Sequence, residues 1–285
     1  MNFDWAEVIK AAAIFVLFLS LGVELRHEIT QGSLAKPRQA IVPILAAVGG
    51  MLTPVIVYSI VNSGLPTSVG WGVPMSTDVA FALAVLAAAG RFLPKSIRVF
   101  LLTVAVVDDS LTILIIAIFF SSSFQPLSVF SLAGVALGLF LSQGQRATVW
   151  LTPLANFVAL PVFAVITLWQ TFSNFQGQLA GSAITLGVVL AMVFGKPLGV
   201  LGTTWLVTKS GLGKLAADVK WPDLFSIASL FGICFTVAMM MSELSFGKAP
   251  IEHSVANVSV LIGSFASALL AVVALNIRKR AYARN

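Results

Sequence analysis

A chain of 285 residues that is 58% hydrophobic and 10% charged, with a mean hydropathy of +0.99, has too few charges to clothe a water-soluble domain and reads as a polytopic membrane protein. Its net charge of +6 would suit a nucleic-acid surface, but the basic residues are dealt out over alternate loops rather than gathered on one face, which excludes that partner. The single cysteine, Cys234, lies in an apolar stretch, so no disulfide framework exists and the thiol reads as a small packing group. Asp4 and Glu7 stand where a cleavable signal would need a basic start.

Nine spans are expected, at about 8–24, 40–62, 70–90, 98–121, 127–142, 150–170, 182–208, 223–245 and 254–277. Arg26, Lys36 and Arg38 follow the first, Arg91, Lys95 and Arg98 the third, and Arg146 the fifth. Lys209, Lys214 and Lys220 follow the seventh, and Arg278, Lys279, Arg280 and Arg284 the ninth. Of the 17 basic residues only Lys10, Lys196 and Lys248 fall outside this series. The bias predicts an outside amino terminus and a cytoplasmic carboxyl terminus, and one missed helix would scramble it.

Four ionisable residues lie deep in the spans: Asp78, Asp108, Asp109 and Lys196. A carboxylate at that depth costs about 2.5–3.5 kcal/mol on insertion scales, so each is a candidate for chemistry rather than stability. From Val99 to Phe120 the adjacent pair Asp108–Asp109 is the only charge. Asp78 closes Pro74-Met75-Ser76-Thr77-Asp78, a cluster that predicts a broken helix, since unwound backbone at membrane depth survives only inside protein or beside a water-filled cavity. Gly232-Ile233-Cys234-Phe235-Thr236 predicts a second break in the eighth span. The two breaks fall in the middle helices of two three-span groups that run in opposite directions, the pattern of an inverted-repeat transporter. Lys196, with long apolar flanks, is expected to pair with a carboxylate across the bundle. Glu24 and Glu28, four residues apart at the cytoplasmic end of the first span, read either as a solvated helix end or as an ion entrance. Glu243 reads as interfacial.

These motifs resemble the NhaA-type sodium/proton antiporters. Ser76-Thr77-Asp78-Val79-Ala80-Phe81-Ala82-Leu83 is similar to the family's broken helix, Val106-Val107-Asp108-Asp109 to its paired aspartates, and Gly195-Lys196-Pro197-Leu198-Gly199 to its intramembrane lysine motif. Gly232 to Thr236 resembles the second broken helix, and Leu21 to Glu28 with Gln31 to Ala35 the end of the family's second helix. The resemblance covers about residues 8–125 and 150–277. It implies an all-α membrane fold with core repeats over about 40–121 and 182–277, and the remaining helices, 8–24 and 127–170, as a reduced interface part. It implies that Asp108 and Asp109 bind the transported sodium or lithium and the proton, Asp109 more directly. Thr77, Asp78, Gly232 and Thr236 would lie at the crossing of the unwound segments, and Lys196 would compensate charge. No cofactor is implied. The partners are the bilayer and small inorganic cations, in a bacterial inner membrane.

The family typically has twelve spans. Its first helix has no counterpart among the nine read here, and two more are missing between the fourth and fifth spans or just after the fifth, so the fifth matches either the family's sixth or its eighth helix. The aspartate usual in the family's second helix aligns with Ala11, and the acidic and histidine cluster before its ninth with the uncharged stretch 148–152. Those departures leave pH regulation and homodimer formation open. Transport, not enzymatic chemistry, is the expected activity. A non-transporting homologue with a relic core is the alternative. An intramembrane aspartyl protease is disfavoured, because Asp108 and Asp109 are adjacent and lack a Gly-x-Gly-Asp motif.

Overall fold

The computed structural model describes residues 5–30, 37–119, 126–141, 145–177, 179, 181–247 and 249–284. Among these every regular element is helical. In hydrocarbon a backbone must satisfy its own polar groups, and apolar runs of this length can do so only as helices.

In chain order the α-helices are α1 (Trp5–Thr30), α2 (Pro37–Val61), α3 (Val79–Ala89), α4 (Lys95–Phe119), α5 (Pro126–Leu141) and α6 (Gln145–Leu154). They continue as α7 (Leu160–Asn174), α8 (Ala183–Leu190), α9 (Lys196–Lys209), α10 (Trp221–Ala228), α11 (Thr236–Phe246) and α12 (Pro250–Ala283). Among the described residues five helical stretches are long and apolar enough to cross a membrane, and six if the bent pair 221–232 and 236–246 counts as one span. These correspond to the second, fourth, sixth, seventh, eighth and ninth expected spans. The other three do not meet that criterion among the described residues. The first is α1, whose apolar part among the described residues is Val8–Val23, and the fifth is α5, 16 residues long and about 24 Å at helical rise. The third is split: a 3-10 helix (Pro66–Gly72), an irregular stretch over 73–78, then α3.

The chain forms two compact units, and the division falls inside α4 between Asp108 and Asp109. In the unit holding residues 1–35 and 109–174, α1 packs on α5 through glycines. A Cβ on Gly138 would strike the Leu19 carbonyl, one on Gly134 would come within 2.8 Å of the Phe15 carbonyl, and one on Gly22 would strike the Val135 carbonyl. Gly134 and Gly138 are one turn apart, the small-xxx-small spacing that lets membrane helices approach closely. Lys10, read from the sequence only as the start of the first span, is 1% exposed and donates to Gln170 Oε1 on α7 at 3.1 Å. Arg26 donates to the Leu139 carbonyl.

In the unit holding residues 36–108 and 175–285, α2 packs along α8 and α9, and α12 packs against α8, α10 and α11. Gly49 and Gly199 face each other: a Cβ on Gly49 would lie 2.8 Å from the Gly199 carbonyl, and one on Gly199 would lie 2.7 Å from Thr53 Oγ1. Gly199→Val is therefore expected to force α2 and α9 apart, costing about 1–3 kcal/mol as overpacking does elsewhere, and a lowered unfolding midpoint in detergent checks it. Just before α9, residues Ala191–Gly195 form a π-turn in which the Lys196 N–H reaches the Ala191 carbonyl, five residues back. Pro197 follows, has no N–H, and would crowd the carbonyl four residues earlier in a regular helix; the widened turn accommodates its ring.

At one end of this unit Asp223, in the first turn of α10, is fully buried. Arg278 Nε donates to its Oδ1 at 2.5 Å and the Tyr282 hydroxyl to its Oδ2 at 2.9 Å. The Tyr282 ring meets Phe92 with centroids 5.3 Å apart. Arg278, read from the sequence as a topology signal, thus also ties the end of α12 to α10. Glu243, expected to be interfacial, lies 3.5 Å from the His253 imidazole and so has a protein neighbour.

Candidate functional site

Two interruptions place the site. The first is the irregular stretch before α3, ending at Asp78, whose backbone is extended at φ −92° and ψ 101°. The second runs from the 3-10 turn Ser229–Gly232 through 233–235 to the start of α11, and the helix axis bends by 44° across it. The two stretches are bonded to each other. The Asp78 N–H donates to the Ile233 carbonyl at 2.8 Å, and the Thr77 hydroxyl to the Phe231 carbonyl at 2.8 Å. Ser76 Oγ and Cys234 Sγ are 2.8 Å apart. Each unwound segment thus gives its freed backbone groups to the other, which is how such backbone is tolerated at membrane depth.

Asp78 sits at the N-termini of two helices. It is the residue before α3, and its Oδ2 accepts the Thr236 hydroxyl at 3.0 Å and the Thr236 N–H, the first of α11, at 3.4 Å. Helix N-termini carry partial positive charge, and a carboxylate there is stabilising. Gly232 has no room for a side chain, since a Cβ would run into the Met192 carbonyl and Ser267 Oγ.

Lys196 reaches this crossing from α9. Its Nζ donates to Asp108 Oδ2 at 2.9 Å and to Thr77 Oγ1 at 2.5 Å. Both charged side chains are almost wholly shielded, Lys196 1% and Asp108 3% exposed. The other Asp108 oxygen, Oδ1, is buried and has no hydrogen-bond partner among the described residues. An ammonium and a carboxylate at this separation inside protein attract strongly enough to offset much of each other's desolvation, and Thr77 fills a further donor of the lysine. Asp109 follows on the same helix and is buried.

The structure therefore brings Thr77, Asp108 and Lys196 together and joins Asp78 to Thr236, with Gly232 at the same crossing. The side chains of Glu24 and Glu28 lie outside the described ones. Among the described residues no group of three or more His, Cys, Asp or Glu could hold a resident metal ion. Sequence reasoning missed Ser264 on α12, whose hydroxyl accepts from the Cys234 N–H at 3.1 Å and donates to the Cys234 carbonyl.

An all-α, multi-pass membrane protein whose ionisable side chains converge where two interrupted helices cross is, by class, a secondary transporter. The chain matches the model of the Na+/H+ antiporter 1 family over residues 2–150 and 131–275, and it belongs to that family. It is 36% identical to the Na(+)/H(+) antiporter NhaA of Streptomyces antibioticus over 335 positions, covering 99% of this chain and 70% of that protein. It is 37% identical to the protein of that name from Frankia casuarinae, covering 94% of this chain and 74% of the other, and 33% identical to that of Thermobifida fusca, covering 94% and 80%. An alignment of 335 positions exceeds the 285 residues available, so at least 50 positions of the Streptomyces protein have no counterpart here. Residues 131–150 fall in both matches to the family model. That overlap bears on α5, which the sequence left open between two family helices.

Proposed function

We propose that the protein exchanges sodium or lithium for protons across a bacterial inner membrane, by competition for Asp108 and Asp109. The observation that carries this reading is the buried Asp108–Lys196 pair at the crossing of two helix breaks. A hard cation favours oxygen ligands, and a carboxylate offers them only when ionised. The unpartnered Oδ1 of Asp108 has acceptor capacity to spare, and Thr77 and the neighbouring carboxylate are further oxygens nearby in sequence or space. Sodium arriving at Asp108 would compete with the Lys196 ammonium for Oδ2, and a proton would compete with sodium for either aspartate. A site that holds one or the other and opens alternately to each side is sufficient for exchange.

In this reading the core consists of two inverted repeats, about 40–121 and 182–277, and the other helices form a reduced interface part. The amino terminus is outside and the carboxyl terminus cytoplasmic. Asp78 offsets the positive ends of α3 and α11 so that a cation can approach.

The test is dequenching of a pH-sensitive dye in everted vesicles on adding sodium, lithium or potassium. Sodium and lithium are expected to collapse the gradient, and Asp108→Asn and Asp109→Asn to abolish the response while the proteins stay in the membrane. Normal exchange by Asp109→Asn would sink the assignment. The missing positions relative to the Streptomyces protein favour a second reading, a non-transporting homologue, and a wild-type protein silent to all three cations would support it.

A further inference from the structure

We infer that Ser264 of α12 is a positioning residue for ion binding, holding the second break in the place from which it supports Thr77 and Asp78; this rests on the exchange reading above. The backbone of residues 233–235 lies between a 3-10 turn and α11, and most of its polar groups can be traced. The Ile233 N–H stays local, donating to the Leu230 carbonyl, and the Phe235 carbonyl accepts the Met239 N–H as α11 starts. The Ile233 carbonyl goes to the Asp78 N–H. Both polar groups of Cys234 go to a single hydroxyl, that of Ser264.

Ser264 therefore supplies from α12 what Asp78 supplies from the first break. One oxygen satisfies a donor and an acceptor of the same unwound residue, and so fixes Cys234 in both position and rotation. That residue's thiol touches Ser76, next in sequence to Thr77, which in turn accepts from the lysine that holds Asp108. The route from α12 to the ion pair is thus Ser264, Cys234, Ser76, Thr77, Lys196, with a hydrogen bond or a covalent bond at every step. Ser254 on α12 turns its hydroxyl to its own helix, bonding the carbonyl four residues back, and Ser259 shares its hydroxyl between the Val255 carbonyl and Thr185 Oγ1 on α8. Ser264 meets both backbone groups of an unwound residue in the break.

Ser264→Ala removes both bonds with little change in volume, whereas Ser264→Thr keeps the hydroxyl. A positioning role predicts that Ser264→Ala raises the apparent KM for sodium about tenfold, roughly 1.4 kcal/mol of binding, with turnover at saturating sodium within about twofold of wild type. Ser264→Thr should return KM towards the wild-type value. Cys234 is the only cysteine in the chain, so its alkylation by a small methanethiosulfonate in purified protein reads the same break without any transport. Ser264→Ala should speed labelling about tenfold and Ser264→Thr should not. A Ser264→Ala protein with unchanged KM and unchanged labelling overturns the inference. So does one whose yield and turnover fall while KM and labelling hold, which would make Ser264 a general packing residue. If wild-type protein moves no sodium, the exchange reading fails on its own, and slow labelling in Ser264→Ala would then overturn the tether as well.

Discussion

Lys196→Ala is expected to cost the folded protein about 3–5 kcal/mol, the range for removing one partner from a buried ion pair, and to abolish exchange. Lys196 Nζ and Asp108 Oδ2 are 2.9 Å apart, with side chains only 1% and 4% exposed, so water does not stand in for the lost ammonium. Thr77 loses a donor at the same time. The double change Asp108→Leu with Lys196→Met removes both charges together. Apolar replacement of a whole buried pair is often neutral or stabilising, so this variant should recover most of the unfolding midpoint while exchange stays at zero. Thermal unfolding in detergent and the vesicle assay read the two quantities separately. If Lys196→Ala is as stable as wild type, the carboxylate is finding solvent that its burial does not suggest. If the double variant still exchanges sodium, Asp108 is not a carrier.

The parts of this site that were legible in the sequence are those that are expensive in a membrane. A charge among apolar residues cannot be an accident of composition, so Asp78, Asp108, Asp109 and Lys196 stood out without reference to any fold. Pro74 with Ser76, Thr77 and Asp78 marked one break because such residues compete with helical hydrogen bonding. The lysine's preference for a carboxylate could be argued, but not which of two adjacent aspartates it would take. The structure gives Asp108 that contact.

What stayed illegible is cheap or local. A serine in a membrane helix can bond its own carbonyl four residues back, as Ser254 and Ser259 do, and nothing in its spacing separates that from the outward bond of Ser264. Asp223 is the first residue of the eighth expected span, and nothing in that position separates it from a solvated carboxylate. It is fully buried because Arg278 and Tyr282, more than fifty residues later, fold back onto it. The π-turn before Lys196 could not be read from Pro197 alone, because a proline in a helix can equally well produce a kink. The division of the chain inside α4 is likewise invisible in a continuous apolar run.

Asp78→Ala should be the most damaging change at the crossing outside the ion pair itself, and Asp78→Asn should fall between it and wild type. One carboxylate lies at the N-termini of both α3 and α11. Each terminus is worth about 0.3–1 kcal/mol to an exposed charge and up to about 2 when partly buried, so losing the charge at two ends costs about 1–4 kcal/mol. Asparagine keeps an oxygen for the Thr236 N–H and hydroxyl and loses only that charge. Alanine also leaves those donors unmet, adding about 1–3 kcal/mol. The order of unfolding midpoints should therefore be wild type, Asn, Ala. Sodium binding should weaken already in the Asn variant, because two uncompensated positive helix ends then oppose a cation near Asp108. Stability and sodium KM measured on all three separate the two effects. An Asn variant with wild-type KM would mean that the helix ends do not act on the ion, and that Asp78 serves the crossing through its hydrogen bonds to Thr236 and Ile233 alone.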